Sequence, residues 1–127
     1  MPYEQDLTEA FNSFIEIQQR LIKPIDPNYA ANLKRYSAIW SARNGKYDKA
    51  IEHLRVAADE LHALQDTQYL YYIYFMLSQN VQFNNSDGPQ SLMYVEQAER
   101  VYSKKKKQSN KSPNLNCERN LKFGGNV

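Results

Sequence analysis

Apolar residues recur at spacings of three, four and seven along most of the chain, and this periodicity predicts a series of amphipathic helices. Over residues 4–22 the stripe is Leu7, Phe11, Phe14, Ile15, Leu21 and Ile22, with Asp6, Glu9, Glu16 and Arg20 between them. Lys23-Pro24 ends this helix, because a residue before proline is pushed out of the α region. Asp26-Pro27 suits the start of the next, since Asp accepts N-cap hydrogen bonds and Pro fits the first helical position. That second helix, over 28–44, carries Leu33, Tyr36, Ala38 and Trp40 and stops at Asn44-Gly45. A third, over 47–64, lines up Ala50, Ile51, Leu54, Ala57, Ala58 and Leu61 opposite Lys49, Glu52, Arg55 and Glu60. Gln65-Asp66-Thr67 then breaks the pattern and offers a capping side chain.

Residues 68–83 are apolar or aromatic all round, with Tyr69, Tyr71, Tyr72 and Tyr74 in close succession. Aromatics and Ile suit strands, but a run of about sixteen residues is too long for a typical strand and predicts a buried helix. Asn84 to Pro89 reads as a loop. A fifth helix over 89–105 places Leu92, Val95, Ala98, Val101 and Tyr102 on one face. Beyond Tyr102 the composition changes to four consecutive lysines and a polar stretch that lacks apolar surface to offset its ordering entropy. The chain therefore divides into a helical domain, 1–103, and a basic disordered tail, 104–127.

Composition narrows the class. A length of 127 residues fits one domain, and four Gly and five Pro are too few for a turn-rich all-β fold. No apolar run reaches the length of a membrane span. The polar, acidic start of the chain is unlike a secretory leader, and the lone Cys117 can form neither an intrachain disulfide nor a zinc site. An intracellular, cytoplasmic protein is expected, and Lys104 to Lys107 could serve as a nuclear address. The net charge of +2 hides an asymmetry. Residues 1–100 carry nine Lys/Arg against thirteen Asp/Glu, whereas 101–127 carry seven basic residues against Glu118.

An internal period is visible. Ala57 and Ala98 fall late in the third and fifth helices at an offset of 41, and Ala38 and Ser78 correspond at an offset of 40. The segment from Asn44 to Ala57, with Gly45 and Tyr47 in the turn and Ala50 and Ala57 at close helix contacts, resembles the tetratricopeptide repeat (TPR) family, in its extended form of 40–42 residues. Gly45 can reverse the chain, Tyr47 can fill the gap between paired helices, and the alanines let helices approach closely. Ser78 and Ser91 stand where the family favours Gly or Ala. The resemblance implies antiparallel helical hairpins, about five helices in a short right-handed solenoid. It also implies a groove, lined by the first helix of each repeat, that takes a partner peptide or helix. By position that groove holds Arg35, Tyr36, Ile39, Ala42 and Arg43, then Phe75, Met76, Gln79, Gln82 and Phe83. Arg35 and Arg43, about 12 Å apart along one helix, could engage carboxylates or phosphates. Ile39 occupies the place of the Asn needed to clamp a chaperone tail, so that partner is not expected.

Two repeats leave exposed ends. The first helix can cap one, the fifth would have to cap the other, and self-association is open to such an array. Catalysis finds no constellation here. His53 and His62 are nine apart, Cys117 has no base held beside it, and no Gly-rich phosphate loop exists. Neither a cofactor nor a metal is expected. The reading is a non-catalytic adaptor or scaffold. The alternatives are a nucleic-acid-associated accessory protein acting through Lys104, Lys105, Lys106 and Lys107, and a shortened form of a longer repeat protein. The tail interleaves only Phe123 with its charge, which points away from nucleic acid.

Overall fold

The computed structural model describes residues 2–111. These form six helical segments and no strand: α1 (Pro2–Ile22), α2 (Pro27–Asn32), α3 (Lys34–Arg43), α4 (Tyr47–Ala63), α5 (Thr67–Asn85) and α6 (Gly88–Lys111). The expected all-helical class is therefore observed. The aromatic run of 68–83 is helical, as its length argued.

Two boundaries differ most from expectation, and the loop expected over Asn84 to Pro89 shortens to residues 86–87. The helix expected over 28–44 is divided at Leu33 into α2 and α3. Leu33 keeps helical angles, and its amide still bonds to the carbonyls of Tyr29 and Ala30. The Tyr36 amide then closes a tighter turn onto the Leu33 carbonyl, so the two pieces follow one another as a tightened helix. The second difference is α6, which continues through Lys111 instead of giving way to a disordered tail at residue 104. Lysine is a good helix former, and a helix can run on by propensity alone. The rest of the expected tail, 112–127, lies outside the described residues.

The turns close by hydrogen bonding at the helix ends. After α3, Gly45 takes φ +76°, its amide bonds to the Ala42 carbonyl, and the Lys46 amide bonds to Ser41. After α4 the same geometry recurs: Gln65 takes φ +58°, bonds to His62, and the Asp66 amide bonds to Leu61. These are two copies of the Schellman closure. Ser86 ends α5 in the left-handed region with one bond to Gln82.

Consecutive helices pack on one another: α3 on α4, α4 on α5, and α5 on α6. The core between them holds Ala38, Ala50, Leu54, Ala57, Leu61, Ile73, Leu77 and Val81, all essentially free of solvent. Ala38, Ala50 and Ala57 allow α3 and α4 the close approach expected of them. The Ser78 and Ser91 hydroxyls meet at 2.8 Å, and Ser91 also donates to the Ser78 carbonyl, so the two serines tie α5 to α6. Helix α1 lies against α2 and α3. There Phe11 stacks on Trp40 at 5.0 Å, the Trp40 indole donates to Thr8, and Gln19 donates to the Ala30 carbonyl. Only part of the α1 stripe is used: Ile15 is buried and Phe11 and Ile22 are half-buried, whereas Leu7, Phe14 and Leu21 face solvent.

Candidate functional site

Helices α2–α3 and α5 start side by side. Asp26 caps α2 by accepting from the Tyr29 amide at 3.0 Å, and Asp66 caps α5 by accepting from the Tyr69 amide at 2.9 Å. The caps stand at the 40-residue offset. Asn28 links them, donating through Nδ2 to the second oxygen of Asp66 at 2.8 Å. Tyr29 lies among Tyr36, Tyr69 and Arg35. The adjacent Tyr36, by its charge and hydrogen bond, pushes the Tyr29 phenol above its ordinary value, with burial and Tyr69 adding and Arg35 opposing.

The partner-binding residues are expected on α3 and α5. Tyr36 and Arg43 on α3 and Gln79, Gln82 and Phe83 on α5 are exposed, and Ile39 is half-buried. Phe83 packs at a tilt against Tyr47 at 5.6 Å, which brings its ring to the turn between α3 and α4. Tyr72, also exposed, falls on the same side of α5 as Gln79 and Phe83 by helical spacing. Two expected members are less available. Met76 is packed against the core. Arg35 is half-buried, its Nε has no partner, and its guanidinium lies 5.4 Å from the centre of the Tyr36 ring. It is thus engaged with Tyr36 instead of standing free beside Arg43. Phe75 is exposed, one turn from both Tyr72 and Gln79 on α5. Lys104 is exposed near the middle of α6. The side chains of Lys105, Lys106 and Lys107 lie outside what is described.

Sequence reasoning missed Asn28, Tyr29 and Tyr69 as the joint between the two first helices. The signal was present in the Asp-x-x-Tyr pattern, repeated at 26–29 and 66–69. It also missed a cleft of about 530 Å³ between α1, α2 and the end of α4. Its floor is Pro27, Ala30, Ala31, Ala63 and Leu64, and its walls carry Glu16, Arg20, Lys23, Lys34 and Glu60. Near it, on α4, His53 is half-buried. Burial first, and then Lys34 and Lys49, hold its pKa below the ordinary 6.5 against the opposing pull of Glu52 and Glu16. Among the described residues no group of His, Cys, Asp and Glu could hold a metal ion. No helix among them is long and apolar enough to cross a membrane. Compared with protein-family models, curated proteins and solved structures, the chain matches none.

Proposed function

We propose that the protein is a non-catalytic interaction module of tetratricopeptide type, binding a peptide or helix of a partner protein across α3 and α5. One observation carries this reading: Tyr36 and Arg43 on α3 and Tyr72 and Phe83 on α5 stand exposed, and Asn28 of α2, which leads into α3, bonds to Asp66 at the start of α5. Aromatic and arginine side chains on a rigid surface are the groups that dominate protein–protein contacts. Building them on helices fixes their spacing before a partner arrives, which lowers the ordering cost of binding. The adaptor role, the solenoid form and an intracellular location belong to the same proposal.

The test is affinity capture with the full chain, residues 1–111 and the Tyr36→Ala/Phe83→Ala double variant, washed at low and high salt. A partner protein should survive high salt on the first two and fall at least tenfold on the third. Binding that depends on residues 112–127 and disappears with salt would favour the nucleic-acid reading, because phosphate contacts weaken steeply as salt rises.

A further inference from the structure

The cleft between α1, α2 and the end of α4 takes no part in the proposed contact across α3 and α5. Its volume of about 530 Å³ falls in the range of pockets that enclose a small organic molecule. It is hollow because its floor is built of short side chains. Ala30 and Ala31 of α2 are each 4% exposed, and Ala63 closes the last turn of α4. Pro27 and Leu64 complete a floor that carries no charge.

Helix α1 supplies one wall. Glu16, Gln19, Arg20 and Lys23 share one side of it by helical spacing. Contacts within the fold fix this wall in place. Ile15 is buried, Phe11 stacks on Trp40 of α3, and Gln19 donates to the Ala30 carbonyl at 3.0 Å. A wall held in this way lowers the ordering cost of binding. Lys34, the first residue of α3, is half-buried in the lining, and Glu60 of α4 is exposed in it.

Charge selects the ligand. Three cations, Arg20, Lys23 and Lys34, line the cleft against two carboxylates, Glu16 and Glu60. Among the described residues none of these five side chains has an ion-pair or hydrogen-bond partner. One positive charge is therefore in excess beside an apolar floor. Lysine and arginine lay their carbon stems along apolar surface and leave the charged head free to meet an anion. The guanidinium fork of Arg20 matches a carboxylate in two parallel hydrogen bonds. A ligand ammonium would meet the minority charge.

We propose that this cleft binds a small amphipathic carboxylate. Its apolar body rests on the alanine floor, and its single negative charge is met by Arg20, Lys23 and Lys34. The site shares no residue with the α3–α5 surface assigned to a partner protein, so the two readings fail separately.

The test is fluorescence titration of the full chain with 1-anilinonaphthalene-8-sulfonate, an apolar ring system with one negative charge whose emission rises in an apolar site. One saturable site should appear, with a dissociation constant on the order of 10–100 μM, the strength expected of a ligand of this size. Decanoate should displace the dye, and decylammonium at the same concentration should not. Arg20→Gln/Lys34→Gln should weaken dye binding about tenfold, as loss of charge-assisted hydrogen bonds does. Glu60→Gln should tighten it. Ala63→Phe, which fills the cleft, should abolish the site. Arg20, Glu60 and Ala63 are exposed, and unchanged helical circular dichroism verifies folding. The comparison of decanoate with decylammonium uses the unaltered chain, so it decides the sign of the ligand whatever the variants do. Dye that never saturates overturns the proposal, as does displacement by decylammonium to the same extent as by decanoate. Binding that survives Ala63→Phe and is lost in Leu92→Gln also overturns it, by placing the dye on the exposed apolar side of α6.

Discussion

Among the described residues, Gly45, Gln65 and Ser86 hold the left-handed conformation that reverses the chain, and only one of these is glycine. A residue with a Cβ gives up about 1 kcal/mol there relative to glycine. Gln65→Gly should therefore raise stability by roughly 0.5–1 kcal/mol, read as a higher urea midpoint at unchanged slope. Gly45→Ala should lower it by about 1 kcal/mol. An added Cβ at Gly45 meets nothing within 4 Å, so that loss is conformational and not steric. Gly45 was legible as a stop because its type announces the conformation. Gln65 was not, since glutamine has no such preference and the Schellman closure imposes the angle on it. His53 gives a pH dependence. Its folded pKa is lowered, chiefly by burial, so the unfolded chain protonates first as pH falls. The contribution of neutral His53 is complete above pH 6.5 and is lost as pH drops below that value. Replacing His53 with Gln should flatten this part of the stability–pH curve, measured by thermal unfolding between about pH 5 and pH 8.

At the scale of the element, the caps are unequal partners. Asp26 serves one helix, accepting only from the Tyr29 amide. Asp66 caps α5 through one oxygen and receives Asn28 from α2 through the other. Asp26→Ala should cost about 1 kcal/mol, an ordinary cap loss. Asp66→Ala should cost roughly 1 kcal/mol more, because it also strands the Asn28 amide. Urea unfolding of both variants and of Asn28→Ala checks this. If the two Asp variants lose equally, the link between α2 and α5 contributes nothing. The helices themselves were readable, because apolar spacing, Pro27 and Gly45 mark them locally. The length of α6 was misjudged for a reason of kind: the lysines were weighed by the core they cannot form, whereas a helix extension needs only propensity. The tightening at Leu33 leaves no trace in composition. Asn32, fully buried beside it, has neither side-chain atom paired, and no local rule places an amide there.

For the whole molecule, the open question was which faces the helices spend on one another. The periodicity of α1 gave one apolar stripe, and packing on α2 and α3 divides it, burying Ile15 and exposing Phe14 and Leu21. Of the residues expected to line a groove, Tyr36, Arg43, Phe75, Gln79 and Phe83 are exposed, while Met76 packs against the core. Spacing on a helix says which residues share a side, not which neighbour that side meets. The sequence by itself determined the helical class, the turns at Pro27 and Gly45, the alanine contacts and the internal period. Each of these depends on a few adjacent residues or on a regular spacing. Only the tertiary structure decided that Asp66 and Asn28 join two helix starts and that a cleft opens between α1 and α4. The first joins residues 38 positions apart and the second brings α1 to the end of α4, and no local pattern carries that information.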